Sequence, residues 1–418
     1  MKWFVLAFLL RFLLITVKHH PDADSFFSWG KYLWEKKEFL SFLGESVPDA
    51  VRANYPPVYY YLLLFWRGIY ELLGNLLWWI NVNVSVFPSN LIPLYQTHDI
   101  GVAFNKIPII LSDIGCAYVI SKILDEISGN SFLKRTAVLL FLFLPATWYN
   151  SVIWGQIDSL YALFLLLSYY LLLKDKYLLS VFAMAFSGLV KPIGLFVLPV
   201  YLIYFLKKRK IKDLIIGVFA SVLLSYILFF PFQPINTLSW SYNFYIGNFQ
   251  GELNNLVYNA LNFWELIFGF KNIPSADFKT LFFTVSVWGK IIFTLFVLII
   301  VIALWKNISK QRLIIASFLC AFAAFLFLPK MHDRYFYTAM IFLPIISCIN
   351  KKYIVFYLLL STIHLLNLYR FWWYPKINFI IPVLSNITVI RFIIMINILA
   401  FFTILYHFIT PRPSFKVK

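Results

Sequence analysis

The chain has 418 residues, of which 61% are apolar, 21% aromatic and only 13% charged. Soluble domains carry about 25% charged residues, so the composition excludes a soluble protein and predicts a polytopic helical protein with a lipid bilayer as partner. The net charge of +18 does not indicate nucleic-acid binding, because the lysines and arginines cluster in short loops between apolar runs, as membrane orientation requires.

The first apolar run covers residues 3–17, which is about long enough to cross a bilayer. We expect a retained helix with a cytosolic N-terminus. The segment His19-His20-Pro21-Asp22-Ala23-Asp24 follows directly. Acids are rare in a chain this apolar, so two carboxylates at a membrane exit are candidates for chemistry. Asp is also a preferred N-cap residue, so Asp22 and Asp24 could instead begin the next helix.

Residues 56–74 are long enough to span a membrane, but their tyrosines and tryptophans favour an interface. We expect a helix along the outer surface. The alternative is that residues 76–95 return through the membrane. Residues 101–124 form the next expected span and contain Asp113. Because an unpaired charge is costly there, we expect this carboxylate to pair with Lys106.

The turn Trp154-Gly155-Gln156-Ile157-Asp158-Ser159 lies between predicted helices at 136–150 and 157–174. Gln156 and Asp158 could complement the dipole at the start of the second helix, or they could belong to a site. The sequence alone leaves both roles open.

The basic clusters at 174–176 and 207–212 should both be cytosolic. Only about thirty residues separate them, too few for two full crossings. The break at Lys191-Pro192 therefore predicts two short helices, with Pro192 beginning the second. Lys191 would then either reach the interface with its long side chain or meet an anion.

Placing all of the basic clusters in the cytosol gives a consistent path for the second half of the chain. The clusters are 174–176, 207–212, 306–312, 351–352 and the tail 412–418. The expected spans are 213–231, 280–304, 312–328, 336–350, 353–369 and 387–410. The expected outer loops are 232–279, 329–335 and 370–386, and the fold is expected to be an all-α transmembrane bundle of about 11 to 13 segments.

On this path the polar features converge on the outer side: the acids Asp22 and Asp24, the turn with Gln156, Lys191, and the loop with His332 and Arg334. Guanidinium and ammonium groups stabilise phosphate strongly. The set suits glycosyl transfer from a lipid phosphate, with a carboxylate as general base and cations stabilising the departing phosphate. We expect no metal and no other cofactor. The loop 232–279 is rich in asparagine and aromatic residues. This composition fits sugar binding and an ordinary loop on the membrane surface equally well.

Six sequence elements occur in order over most of the chain. They are Asp22 seven residues before Trp29, Tyr55-Pro56-Pro57, Lys106-Ile107-Pro108 with Asp113, the turn at 154–159, Lys191-Pro192, and Met331-His332-Asp333-Arg334-Tyr335. Together they resemble the GT-C superfamily of polyprenyl-phosphate-sugar-dependent glycosyltransferases, nearest to Gpi18-related mannosyltransferase-like proteins. They are more distantly similar to the dolichyl-phosphate-glucose transferases.

The resemblance implies an outward-facing juxtamembrane first loop and a set of site residues. Asp22 would be the catalytic base, with Asp24 as the alternative. The donor phosphate would lie among Lys191, His332 and Arg334, and the substrate-binding residues would be Trp29, Tyr55, Gln156 and Asp158. The chain departs from the family pattern at Asn54, where Asp is frequent, and at Asp333, where Glu is usual.

We expect one integral-membrane domain over residues 1–418. Residues 1–206 should form the common catalytic module, with a first outer loop at 18–100. Residues 207–418 should form more variable helices, with outer loops at 232–279 and 329–335.

The expected reaction is an inverting hexosyl transfer from a polyprenyl-phosphate donor, with mannose suggested by the resemblance. The acceptor would be a glycolipid, a polysaccharide or a protein. The active site should face the extracytoplasmic or lumenal side of a prokaryotic plasma membrane or of the endoplasmic reticulum. A transporter or flippase of lipid-linked sugars, or a non-catalytic relative that binds them, remains the alternative; transporters usually show repeated halves with matching broken helices.

Overall fold

The structure is a computed structural model that describes residues 2–17, 19–40, 42–43, 47–250, 254–269 and 274–410, with backbone alone for 248–250. The expected all-α class is confirmed, because the strands are short pairs beside long helices. The basic tail at 412–418 lies outside the described residues, so its expected cytosolic position stays a prediction.

The first half of the chain carries the helices around the 154–159 turn and the N-terminal acids. They are α1 (Lys2–Leu13), α2 (Pro21–Lys36), α3 (Pro57–Asn83), α4 (Leu91–Tyr95), α5 (His98–Ile127), α6 (Ser131–Phe143), α7 (Pro145–Trp148), a π-helix (Tyr149–Trp154), α8 (Asp158–Leu173), α9 (Tyr177–Val190), a 3-10 helix (Pro192–Val197) and α10 (Leu198–Lys207).

The second half adds longer helices and the short strands. They are α11 (Ile211–Phe229), α12 (Thr237–Gln250), β1 (Val257–Tyr258), α13 (Phe263–Phe268), β2 (Lys279–Thr280), β3 (Phe283–Thr284), α14 (Val285–Lys306), α15 (Lys310–Phe327), β4 (Met331–His332), a 3-10 helix (Asp333–Phe336), α16 (Tyr337–Met340), α17 (Leu343–Ile349), α18 (Tyr353–Trp372), α19 (Ile380–Ser385) and α20 (Ile387–Ile409). β1 pairs with β4 in parallel, and β2 pairs with β3 antiparallel.

Local sequence explains where several helices begin. The side chain of Asn130 accepts a hydrogen bond from the amide of Leu133, and Ser309 does the same for Arg312. Asn, Ser and Thr satisfy free amides at helix starts in this way. The expected break at Lys191-Pro192 is confirmed, because α9 ends at Val190 and a 3-10 helix begins at Pro192, where the missing proline N–H costs nothing.

Within the described residues six helices are long and apolar enough to cross a membrane: α5, α11, α14, α15, α18 and α20. The chain is therefore an integral membrane protein. α15 lies at the centre, with 83% of its most apolar window buried, whereas α11 lies at the periphery with 6% buried. The latter presents apolar side chains to its surroundings, which suits contact with lipid.

Three expected segments differ in the structure. The span expected at 336–350 is two short helices, α16 and α17, because Pro344 in the first turn of α17 cannot continue a preceding helix. The first helix ends at Leu13 and has 12 residues, fewer than expected. The alternative in which residues 76–95 cross back through the membrane is wrong, because α3 continues as one helix to Asn83. The outer-surface position of α3 stays a prediction.

The expected pairing of Lys106 with Asp113 is also wrong. The two residues are seven positions apart on α5, or about 10 Å along a helix axis, too far for direct contact. Arg11 Nε donates instead to Asp113 Oδ2 at 2.9 Å, and both side chains are fully buried. Ser151 Oγ adds a hydrogen bond of 2.5 Å to the same oxygen. Lys106 Nζ donates to the carbonyl of Ile15 at 3.1 Å.

Two basic clusters expected on the cytosolic side meet at one end of the bundle. Glu126, near the end of α5, pairs with Lys174 at 2.6 Å and with Lys310 at 3.3 Å. Lys207 lies over the ring of Trp305, 4.5 Å from its centroid. The segments expected to share a side of the membrane are therefore close in space.

Replacing Arg11 by Met should lower the stability of the protein, because Asp113 would keep a buried charge without its cation. Loss of one partner of a buried pair costs roughly 3–5 kcal/mol. Thermal unfolding in detergent, followed by tryptophan fluorescence, should show a clear fall of the midpoint for Arg11→Met. Lys36→Met, which also replaces a cation by methionine but at an exposed position, is the control. Equal midpoints for the two variants would contradict this role.

Candidate active site

The first turn of α2 carries both N-terminal acids, but neither caps the helix. His20 is the N-cap residue, and its Nδ1 accepts a hydrogen bond from the amide of Asp22. Pro21 takes the first helical position, and Asp22 and Asp24 follow inside the turn, where negative charge suits the helix dipole. Because they lie two positions apart, their side chains leave the helix in different directions.

Asp22 faces a group of polar side chains from distant parts of the chain. Its Oδ2 accepts a hydrogen bond from Gln156 Nε2 and lies 3.7 Å from Arg334 Nη2. Its Oδ1 lies 3.4 Å from His20 Nδ1. The carboxylate side chain is 24% exposed, so it is held on several sides yet open to a substrate.

The turn at 154–159 packs directly against α2, and Gly155 makes this possible. Gly155 has φ +83°, a conformation that suits glycine. A Cβ there would lie 2.8 Å from Ala23 Cβ, closer than two carbon atoms can approach. The carbonyl of Trp154 also accepts a hydrogen bond from the amide of His20 at 3.3 Å. The close contact delivers Gln156 to Asp22.

Asp158 and Lys191 form a buried ion pair behind this turn. Lys191 Nζ donates to Asp158 Oδ1, with side-chain exposures of 3% and 0%. Asn150 Nδ2 donates to the other oxygen at 3.2 Å. The ammonium also lies 5.5 Å from the ring centroid of Tyr55 and 5.7 Å from that of Tyr335. Lys191 therefore points inward rather than toward the membrane interface.

The loop at 331–335 completes the group. Pairing of β4 with β1 brings Tyr258 onto His332, whose ring stacks on it with centroids 4.6 Å apart. Burial lowers the pKa of His332 well below its usual value, and the charges of Arg334 and Lys191 act in the same direction. His332 is therefore neutral at physiological pH.

Arg334 lies between two carboxylates. Its Nη1 is 3.7 Å from Asp333 Oδ1, and its Nη2 faces Asp22. Burial raises the pKa of Asp333 to about 7, against the lowering effect of Arg334. The Nε of Arg334 is buried and has no hydrogen-bond partner among the described residues. An arginine with an unused donor is suited to receive an anion.

The charges around Asp22 favour its ionised form. Burial alone would raise the pKa of this carboxyl, but Arg334, His20 and Lys191 together hold the pKa well below its usual range. Asp22 is therefore ionised throughout the physiological pH range. It can accept a proton, although the nearby cations weaken it as a base.

Trp29 and Tyr55 are aromatic residues packed beside this group. Trp29 is 1% exposed, and its Nε1 donates to the carbonyl of Val51 at 2.9 Å. Its ring packs against Tyr55, with centroids 5.8 Å apart. The amide of Tyr55 donates to the hydroxyl of Tyr60 at 3.0 Å. Tyr55 thus borders the group, whereas Trp29 supports it from the core.

Asp24 lies apart from the group. Its Oδ1 contacts His19 Nε2 and His98 Nε2, each at 2.7 Å. The structure thus brings Asp22, Gln156, Asp158, Lys191, His332, Arg334 and Tyr55 together and directs Asp24 elsewhere. Of the two N-terminal acids, Asp22 is therefore the one that faces the other predicted site residues.

The model of glycosyltransferase family 87 matches residues 106–329, more than half of the chain. The chain belongs to glycosyltransferase family 87. The matched region contains Gln156, Asp158 and Lys191, whereas Asp22 precedes it and Arg334 follows it. No curated protein matches the chain.

Three side chains of this glycosyltransferase site were not predicted. His20 holds Asp22, and its ring stacks on Trp154 with centroids 4.6 Å apart; histidine is not a preferred N-cap residue, so no local signal marked it. Asn150 binds Asp158 from an otherwise apolar helical segment. Tyr258 belongs to the asparagine- and aromatic-rich loop, whose composition was the available signal.

Gly155→Ala should reduce glycosyl transfer at least about tenfold, because the methyl group would push the turn away from Ala23 and displace Gln156 from Asp22. Gly129→Ala is the matched control, since nothing lies within 4 Å of a Cβ at that position. Transfer rates of the purified variants, compared at equal folded fractions, measure the effect. Wild-type transfer by Gly155→Ala would contradict the proposed contact.

Proposed function

We propose that this glycosyltransferase moves a hexose from a polyprenyl-phosphate donor to an acceptor hydroxyl, with inversion at the anomeric carbon and Asp22 as general base. The observation that carries the proposal is the meeting of one partly exposed carboxylate, Asp22, with the guanidinium of Arg334 at 3.7 Å. A base for the acceptor and a cation for the leaving phosphate then belong to one site. Because the displacement inverts the carbon, the two groups would act from opposite faces of the sugar, and donor binding would separate Asp22 from Arg334.

The donor phosphate would bind at Arg334, whose Nε has no partner among the described residues. Lys191 would add positive charge from behind while keeping Asp158. His332, neutral and stacked on Tyr258, would donate a ring N–H rather than a full charge. Arginine and lysine can neutralise a phosphate without a metal ion, so the proposed transfer step uses these side chains alone.

In the proposed reaction the acceptor hydroxyl loses its proton to a carboxylate oxygen of Asp22. The acceptor oxygen attacks the anomeric carbon as the bond from that carbon to the phosphate oxygen breaks. The polyprenyl phosphate leaves with the electron pair, which Arg334 and Lys191 stabilise. One displacement at carbon inverts its configuration and needs one base. Asp22 is the partly exposed carboxylate of the group, whereas Asp158 and Asp333 are buried.

Binding of the donor would also adjust the base. In the free protein Arg334 is the main charge that lowers the pKa of Asp22. A phosphate bound to Arg334 offsets this positive charge and adds negative charge nearby, so the pKa of Asp22 rises. The carboxylate therefore becomes a stronger base when the sugar donor is bound. Before the donor binds, its lower pKa keeps it unprotonated.

Several further features of the proposal rest on the sequence resemblance. Mannose is the first candidate sugar, following the Gpi18-related proteins. A glycolipid, a polysaccharide or a protein would be the acceptor, on the extracytoplasmic or lumenal side of a prokaryotic plasma membrane or of the endoplasmic reticulum. Lys174, after α8, and Lys310, at the start of α15, meet at Glu126, and the loop at 331–335 follows the opposite end of α15. This separation of the basic residues from the site supports an outward-facing site.

Asp22→Asn should abolish measurable transfer, because an amide cannot take the acceptor proton; loss of a general base costs roughly 10²–10⁴-fold. The assay incubates purified protein in detergent with radiolabelled polyprenyl-phosphate hexoses and candidate acceptors, and scores the new glycosidic bond. Asp49→Asn is the control. Wild-type transfer by Asp22→Asn would remove the assignment, and label uptake into vesicles without a new bond would indicate a transporter.

Arg334→Gln should weaken donor binding roughly tenfold to a hundredfold, as expected for loss of hydrogen bonds to a charged group. Donor binding can be measured with a non-hydrolysable polyprenyl-phosphonate sugar. Arg135→Gln is the matched control, because Arg135 is exposed and lies over the ring of Trp3 rather than beside Asp22. Equal dissociation constants for wild type and Arg334→Gln would separate Arg334 from the phosphate.

The same variant tests the origin of the low Asp22 pKa. Protonation of the base removes activity as pH falls, so a low pKa keeps wild-type kcat/KM high through mildly acidic pH. Removing the cation raises the Asp22 pKa, and the acid limb should therefore move to higher pH in Arg334→Gln. pH profiles of kcat/KM, normalised to each variant's maximum, measure the shift. An unmoved acid limb would show that Arg334 does not set this pKa.

A further inference from the structure

Asp24 belongs to a second polar cluster, which the proposed transfer does not use. His19 Nε2 and His98 Nε2 each lie 2.7 Å from Asp24 Oδ1, and the three ligand-type atoms all lie within 4.8 Å of one another. His19 precedes α2, Asp24 lies in its first turn, and His98 begins α5. The cluster therefore joins two segments of the chain, residues 19–24 and the start of α5.

We propose that His19, Asp24 and His98 bind a divalent transition-metal ion, with Zn²⁺ as the best match. Two imidazoles and one carboxylate are a frequent ligand set for zinc sites with an open position and also suit iron(II). Zn–N and Zn–O distances of about 2.0–2.2 Å place tetrahedral ligands about 3.3–3.6 Å apart. To receive the ion, the two 2.7 Å contacts to Asp24 Oδ1 would lengthen by roughly 0.6–0.9 Å.

Two charges lie near the cluster. Asp99 adds negative charge near His19, and Lys106 adds positive charge.

The cluster is accessible to an ion. The side chains of His19, Asp24 and His98 are 12%, 35% and 53% exposed. His98 also borders a pocket of about 390 Å³, together with Lys31, Arg67 and Tyr95. A bound ion would keep one coordination position toward solvent or this pocket.

The ion would act on α2 rather than on the reacting atoms. Asp24 and Asp22 lie in the same helical turn, so a bond from Asp24 to an ion held by α5 would fix the orientation of that turn. His19 and His98 would then be positioning residues for the base. The site stands on its own contacts and does not depend on the identity of the sugar or acceptor.

Metal binding by the full-length protein in detergent tests the proposal. After treatment with a chelator and its removal, titration with ZnCl₂ in a calorimeter should show one ion bound per chain, checked by elemental analysis. His98→Ala should raise the dissociation constant at least about tenfold. His407→Ala, which removes a histidine at the far end of α20, should bind as wild type does.

Co²⁺ provides a second measurement that does not depend on activity. The wild-type protein should give the visible absorption of a four- or five-coordinate Co²⁺ site, and Asp24→Asn should lose it. Because His98 is half exposed, His98→Ala is expected to fold, which size exclusion and thermal unfolding verify. Absence of zinc binding by the wild type, or equal affinity in wild type and His98→Ala, would overturn the site. A cluster joined only by hydrogen bonds would give the first of these results.

Discussion

Asp22 and Arg334 lie far apart in the sequence, and the attraction between their charges is the interaction around which the site is arranged. The 3.7 Å separation leaves room for change when an anion binds. Arg334 keeps the carboxylate ionised in the free protein, and a phosphate would compete for the same guanidinium. Under the proposed function, this one electrostatic contact would hold the site together before the donor binds, receive the leaving phosphate and adjust the base.

Packing of the 154–159 turn on α2 gives this contact its geometry. Gly155 allows the turn to approach Ala23, and Gln156 then reaches Asp22. Behind it, Lys191 and Asp158 form a buried pair, where their charges are screened less than they would be in solvent. A glycine and a buried ion pair therefore support a partly exposed carboxylate, and neither needs to touch substrate to matter for transfer.

Much of the fold followed from the sequence because membrane helices have strong signals. Unbroken apolar runs located α5, α11, α14, α15, α18 and α20, and Pro192 marked the break after α9. The failures have local causes. Pro344 divided an expected span, and the aromatic content of α3 concealed a helix that continues to Asn83. The wrong partner for Asp113 arose because sequence proximity suggested Lys106, whereas helix geometry excludes that pair and Arg11 reaches Asp113 from another helix.

By itself the sequence determined the membrane class, the candidate site residues and the order in which they occur, because composition and short motifs are local properties. Only the tertiary structure decided which of them meet. The different directions of Asp22 and Asp24 were expected from helical geometry, but their partners were not: His20, Gln156 and Arg334 for one, His19 and His98 for the other. Gln156, Arg334 and His98 come from remote segments, and their positions depend on how whole helices pack, which no local pattern encodes.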